Sequence, residues 1–190
     1  MVNINDIIQQ RRSIYPKEFT GQILDNQVVD VLLENANFAP NHLSNYPWRF
    51  VIISGDKIAD FIDQASEIYQ KETPAEKFKP EKLDKLQINK ERISHIIAIV
   101  MHREADTKSI EREDICAVAC AVQNMYLSLS QFPEAGGYWS TGLGTYSNTM
   151  HQFLKLEESE TLLGFFVLGH VLNKRTEGHK KNISHFSRYL

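Results

Sequence analysis

The sequence predicts an α+β protein with helices on both faces of a small sheet. Three observations predict it. The chain holds three strand-sized apolar runs, "WRFVIIS", "SHIIAIVMH" and "TLLGFFVLGHV". Between them lie segments with helical spacing of apolar residues. Helices and strands alternate without the strict rhythm of a parallel βαβ protein. At 190 residues, 42% apolar and 24% charged, the chain is expected to form one domain over residues 1–190 with a sizeable core.

Taken in order, the first helix is read from about Asn3 to Arg12, with Ile4, Ile7, Ile8 and Arg11 on one face. Asp25 is read as the N-cap of a second helix carrying Val28, Val31, Leu32 and Ala36, which must stop before Pro40. "WRFVIIS" is a strand and "DKIADFIDQASEIYQ" an amphipathic helix. The segment Lys71 to Lys90 is densely charged and holds Pro74 and Pro80; it reads as a helical excursion with few residues able to anchor in a core. "SHIIAIVMH" is a buried strand. "SIEREDICAVACAVQNMYLSLSQF" is the longest helix, with Ile115, Val118, Ala119, Val122, Met125, Tyr126 and Leu129 on a wide apolar face, suited to a core or a subunit interface. "GGYWS" is a short strand, "SNTMHQFLKL" a helix and "TLLGFFVLGHV" a buried strand, followed by a polar tail.

Several classes of function are disfavoured. A formal net charge of −3 gives no general attraction for nucleic acid or an acidic membrane surface. No secretory leader is visible at the start, and no apolar run is long enough to span a bilayer. Cys116 and Cys120, four residues apart, suit one helix face rather than a disulfide; both are read as small buried residues in a reducing cytoplasm. The seven histidines show no metal-binding spacing, so no metal is expected. GxSxG and GxGxxG are both absent, which leaves covalent catalysis and a dinucleotide fingerprint unsupported.

Three stretches carry candidate chemistry. Arg11, Arg12 and Ser13 end the first helix and make a donor set for a phosphate or carboxylate; the plainer reading is two arginines complementing the helix dipole. In "NFAPNHLSNYPW", Asn41, His42, Ser44 and Asn45 could surround a heteroaromatic ring, or simply form a turn cluster before a strand. "GGYWSTGLG" holds four glycines, whose backbone can approach a flat ligand, with Ser140 and Thr141 adding hydroxyls.

"RRSIYPKEFTGQILDNQVVDVLLENANFAPNHLSNYPWRFVIIS" resembles the opening of the flavin-dependent nitroreductase family. There an Arg-Arg-Ser is followed by a helix, an Ala-Pro, a polar loop and a Pro-Trp-x-Phe strand. "EREDICAVACAVQNMYLSLSQF", "GGYWSTG" and "LLGFFVLGHV" resemble the rest of that core, in order, along nearly the whole chain, and the short length resembles the family's minimal branch.

The resemblance implies a central mixed sheet flanked by helices, a homodimer, and FMN at the subunit interface, with NADH or NADPH as reductant. It implies that Arg11, Arg12 and Ser13 contact the phosphate and ribityl chain. Pro40, Asn41, His42 and Tyr46 would form the loop lent by the partner, and Trp139, Ser140 and Thr141 the strand on the far side of the ring. Lys180 is the best match for a basic tail residue reaching the phosphate, although "HKKNIS" lacks the usual proline. Tyr15 stands where members often carry Lys or Arg near the flavin pyrimidine edge. The implied activity is hydride transfer from NAD(P)H through FMN to a nitroaromatic, quinone or activated alkene, with ping-pong kinetics and no catalytic side chain of its own. Flavin sequestration without turnover, dehalogenation and flavin fragmentation stand as alternatives.

Overall fold

The computed structural model describes residues 3–174, 178 and 180–190. Six α-helices and four strands are set out along these residues: α1 Ile4–Gln10, α2 Asn26–Ala36, β1 Trp48–Ser54, α3 Lys57–Glu72, α4 Pro80–Lys90, β2 His95–His102, α5 Glu111–Ser128, β3 Ala135–Ser140, α6 Asn148–Phe153 and β4 Glu160–His170. Asp25 caps α2 as expected, its Oδ1 accepting from the Gln27 amide at 2.8 Å.

The strands lie in the order β1-β2-β4-β3. The sheet expected to be mixed is antiparallel at every described pairing. The reason lies in the connections. α3 and α4 pack on each other as a helical hairpin, so the chain re-enters the sheet at the end it left, and β2 runs against β1. A single helix, α5, joins β2 to β3, and those two strands run the same way with β4 inserted between them.

The two inner strands are apolar along their middles, residues 96–101 and 162–169, because both faces are covered there. Ile96, Ala98 and Val100 of β2, with Phe165 and Val167 of β4, meet Phe61, Ile62 and Ala65 of α3. The alternate residues Ile97, Ile99, Phe166 and Leu168 meet Leu32 of α2 and Val118, Val122 and Met125 of α5. Period-two alternation thus feeds two separate cores from one sheet.

The charged excursion is better anchored than its composition implies. Phe78 stacks on Tyr69 with ring centroids 5.4 Å apart, and Lys82 lies over the same ring. Leu86 of α4 is buried, and the Lys90 ammonium bonds Asp63 of α3 at 2.8 Å. A few well-placed residues among many charges are enough to dock a short helix. The cysteines correct a second expectation. Cys116 is exposed, as is Ile115, whereas Cys120 is half-buried against the core shared by α2 and α5.

A buried histidine closes the start of β2. Asn26 Oδ1, 3.0 Å from His95 Nε2, can only accept, so the neutral ring carries its proton on Nε2. His95 Nδ1 then accepts from the Ser94 hydroxyl at 2.8 Å, and Ser94 Oγ accepts from the Leu24 amide, also at 2.8 Å. Burial holds this imidazole below the ordinary value of 6.5, in its neutral form. The unfolded chain binds the proton first, so His95 stabilises the fold fully above about pH 6.5 and less as pH falls through the folded value. Urea denaturation of the protein and of His95→Gln at pH 7.5 and 5.5 checks this. The variant should lose less stability on acidification, and equal losses would refute the assignment.

Candidate functional site

The segment after α1 runs along the edge of the sheet. The Ile14 amide donates to the Gly137 carbonyl at 3.0 Å, which lays Arg11, Arg12 and Ser13 beside β3. The glycines of β3 serve this packing. A Cβ at Gly136 would meet Ile14 and Val171, and one at Gly137 would meet Leu168 and the Val167 carbonyl. The close approach expected for a flat ligand is therefore taken at both positions by the protein's own chain. The other two glycines of that stretch, Gly142 and Gly144, lie beyond β3.

Tyr126 of α5 is the hub, although its spacing in the sequence marks it only as part of an apolar face. Its phenolic oxygen accepts from the Trp139 amide at 2.6 Å and lies 3.3 Å from Ser13 Oγ. The Arg11 guanidinium sits 4.8 Å from the centre of its ring. One phenol thus joins the Arg-Arg-Ser segment to the strand carrying Trp139 and Ser140. A tyrosine at helical spacing carries no signal of such a role until the helix is docked.

Beside this hub is a cavity of about 270 Å³, lined among others by Arg11, Arg12, Tyr126, Gly136, Gly137 and Lys174. Lys174, four residues past β4, was not singled out from the sequence. Its ammonium donates to the Leu129 carbonyl at 2.5 Å. Burial pushes it down to about 8, against the opposing pull of Glu134. Lys180 is exposed and does not line this cavity.

The remaining candidates lie elsewhere on the chain. Trp139 packs inward, its indole N–H donating to the Leu163 carbonyl at 3.2 Å. Ser140 lines a recess under α4 with Tyr138, Lys82, Lys85 and Asn89. Thr141 lines a neighbouring one with Tyr69, Glu72 and Lys82. Pro40, Asn41 and His42 border an open groove with Arg112, Cys116 and Cys120 of α5. Within one chain this loop does not share a cavity with Arg11 and Arg12.

The loop itself is strained. Leu43, Ser44 and Tyr46 have φ of 56°, 51° and 46°, left-handed values that cost non-glycine residues on the order of 1–2 kcal/mol each. Asn41 Oδ1 accepts from the Tyr46 amide at 3.3 Å and closes the turn. Asn45 Nδ2 donates to Asp114 Oδ1 at 2.6 Å and to Ser109 Oγ at 3.2 Å. Asp114, 1% exposed, also pairs with Arg103. The Asn45 side chain therefore points into the protein, and the exposed side chains of the loop are Pro40, His42, Leu43, Ser44 and Tyr46.

The fold is thus an α+β sheet with α2 and α5 on one face and a basic cavity along its edge strand. The chain matches the Nitroreductase family model over residues 8–170, and it belongs to that family. YfhC of Bacillus subtilis, provisionally named an NAD(P)H nitroreductase, is 27% identical over 168 residues, 88% of this chain and 84% of its own. A Nitroreductase-like family protein from Bacillus cereus has the same fold, with a TM-score of 0.83 and 20% identity over 100% of this chain and 97% of its own. A provisionally assigned nitroreductase of Desulfovibrio desulfuricans, solved with FMN, has a TM-score of 0.78 and 21% identity, covering 100% and 98% of the two chains. Among the described residues, no helix is long and apolar enough to cross a membrane.

Proposed function

We propose that this chain is an FMN-dependent NAD(P)H oxidoreductase that acts as a homodimer and delivers hydride to a small acceptor. The observation that carries the reading is the cavity beside β3, where Arg11, Arg12 and Lys174 converge next to Ser13 and Tyr126. Two guanidiniums, an ammonium and a hydroxyl fit a phosphate and the start of a polyol chain. The names of YfhC and of the Desulfovibrio desulfuricans complex point the same way.

When bound, FMN supplies the hydride chemistry. The chain's own residues bind and orient. Arg11 and Arg12 take the phosphate and Ser13 the ribityl end, with exposed Lys180 as an outer cation from the tail. Trp139, through its backbone, with Ser140 and Thr141 beyond it, would border the far side of the ring, and Tyr126 holds the Trp139 backbone in place. Tyr15, packed 4.9 Å from Tyr138, offers no fixed positive charge at the pyrimidine edge. Reductant and acceptor use one face in turn, which gives ping-pong kinetics. A nitroaromatic, quinone or activated alkene suits such a face.

Dimerisation rests on apolar surface left without cover. α1 buries no residue, and Ile4 and Ile8 on it are exposed, as are Phe38, Leu43, Ile110 and Ile115. The tail adds Ile183 and Phe186, both exposed. Pro40, Asn41, His42 and Tyr46 then reach the partner's flavin, which accounts for their separation from Arg11 within one chain. The assembly is one domain per subunit, spanning 1–190, in a reducing cytoplasm.

The test is anaerobic titration of the yellow holoprotein with NADH and with NADPH. Bleaching of the flavin band is expected, and flavin that stays oxidised would mark a sequestering protein instead. Arg11→Ala should raise the FMN Kd about tenfold or more, since a charge-assisted hydrogen bond is worth roughly 1.5–3 kcal/mol. Unchanged retention, or a monomer that keeps its FMN, would overturn the corresponding part of the reading.

A further inference from the structure

We propose that the recess under α4 takes an acidic group of the acceptor, and that Lys85 and Lys82 are the residues that select it. The inference rests on the reading of the chain as an FMN-dependent oxidoreductase. It adds the chemical class of the acceptor, a small aromatic carboxylate.

The recess holds about 200 Å³. Buried Ile62, Leu86 and Ile93 form its base, and exposed Lys82 and Lys85 stand at its rim. The two lysines are three residues apart on α4, so they leave the helix on one side. Tyr138 and Ser140 close the recess from β3, two residues apart and therefore on one face of the sheet. An apolar base that a ring can enter, with a few polar groups converging on it, is the usual make-up of a small-molecule site.

Charge decides what kind of molecule fits. No carboxylate lines the recess. The lysines at the two ends of the 71–90 excursion are neutralised, Lys71 by Glu67 and Lys90 by Asp63, each at 2.8 Å. Lys82 and Lys85 belong to no ion pair among the described residues. The Lys82 ammonium rests 4.3 Å over the Tyr69 ring, whose hydroxyl accepts from the Lys79 amide at 2.9 Å. Glu81 and Asp84, the acids of α4, line neither this recess nor its neighbour. Glu72 lines the neighbour, but its Oε1 already accepts from the Ser147 and Thr149 hydroxyls. Two ammoniums above an apolar base, with no acid of the chain to meet them, suit an aromatic anion.

Position decides which anion. Gly136 and Gly137 border the Arg11 cavity at one end of β3, and Ser140 borders this recess at the other. From Gly137 to Ser140 is about 10 Å along an extended strand. With the phosphate at the first end, the recess adjoins the ring end of the site. An acidic substituent on the acceptor's own ring is within reach there. The 2′-phosphate of NADPH is a poorer match, since both riboses and the pyrophosphate separate it from the nicotinamide. Lys82 and Lys85 bind and orient the acceptor; they do not touch its reacting atoms.

The experiment uses the holoprotein and two unreactive probes, benzoate and its neutral counterpart benzamide. Binding is read by calorimetry and by the shift of the flavin absorption band. The unaltered protein should bind benzoate more tightly than benzamide, and added salt should weaken benzoate alone. Lys85→Gln should raise the benzoate Kd about threefold or more, and Lys82→Gln/Lys85→Gln about tenfold, with benzamide unaffected. Lys85→Arg should restore benzoate binding. Lys77→Gln makes the same change of net charge in the same excursion but lines neither recess, and should bind benzoate as the unaltered protein does. In turnover, the ratio of kcat/KM for 4-nitrobenzoate over 4-nitrobenzamide should fall in Lys85→Gln by the same factor as benzoate affinity.

Equal affinity for benzoate and benzamide would overturn the proposal, as would an equal loss in Lys77→Gln, which would reveal only the general field of the excursion. A loss in Lys85→Gln seen only in flavin reduction by NADPH, and not by NADH, would give the recess to the nucleotide phosphate and overturn it too. The two levels separate cleanly. A purified protein that holds no flavin would overturn the functional reading, and the acceptor role with it. A flavoprotein bleached by NADH in which Lys85→Gln leaves benzoate affinity unchanged would overturn only the assignment of the recess.

Discussion

Arg103→Ala is expected to destabilise the fold by about 3–5 kcal/mol, the cost of leaving a buried charge without its partner. Asp114 is 1% exposed and accepts from Arg103, from Ser109 Oγ at 2.8 Å and from Asn45 Nδ2 at 2.6 Å. Without Arg103 the carboxylate keeps two neutral donors and no countercharge. The damage should also spread to the 41–46 loop, because Asn45 is the point at which that strained turn is tied to α5. Once the tie loosens, Leu43, Ser44 and Tyr46 can leave their left-handed conformations. Urea denaturation measures the first effect, and the rate of proteolytic cleavage within the loop measures the second. The double variant Arg103→Ala/Asp114→Ala should be less damaged than the sum of the single changes, as two partners of one interaction require. A loss under about 1 kcal/mol for Arg103→Ala would mean that solvent already satisfies Asp114.

Gly164→Ala is the second large effect, expected at about 2–5 kcal/mol. Gly164 has φ of +131°, where an L side chain is strained. A Cβ there would lie 2.5 Å from both the Ser140 carbonyl oxygen and Trp139 Nε1. Neither neighbour yields easily, since one is backbone and the other is an indole bonded to the Leu163 carbonyl. The glycine sits at a bulge: Ile99 faces Gly164 while Val100 faces Leu162, so Leu163 is the extra residue in β4. Forcing the alanine in combines backbone strain with roughly 1–3 kcal/mol of overpacking. It should also push Trp139 and Ser140 away from Tyr126. Thermal melting and tryptophan fluorescence would register both changes, and flavin retention should fall with them. An alanine variant that melts normally with unchanged fluorescence would show that β3 can shift freely, against the geometry described for the site.

How much of this was legible in advance depended on whether a residue's role is local. β2 and β4 declared themselves because a strand buried on both faces must be apolar at every position, and "IIAIV" and "FFVLG" are. The Asp25 cap was legible because the acceptor and the amide it serves are two residues apart. The order of Arg-Arg-Ser, the polar loop, the Pro-Trp strand and the glycine strand was enough to point to the Nitroreductase family, which the match over residues 8–170 bears out.

What stayed hidden depended on partners far away in the chain. Tyr126 was read as one more apolar residue, since nothing near it reveals that Trp139 and Ser13 will share its hydroxyl. Lys174 was one lysine in a polar tail until the end of α5 offered it a carbonyl 45 residues away. Cysteine is usually buried, but the rotation of α5 about its axis, set by Val118, Val122 and Met125 seeking the sheet, turns Cys116 outward and leaves Cys120 half-buried. Strand direction was likewise decided by the α3–α4 hairpin, whose docking depends on Phe78 and Leu86 among charges that masked them. The sequence by itself determined the elements, their order and the donor types at the sheet edge, because periodicity and chemistry are written residue by residue. Tertiary packing alone decided which of those donors face one cavity, because that follows from how helices of fixed shape dock on a twisted sheet.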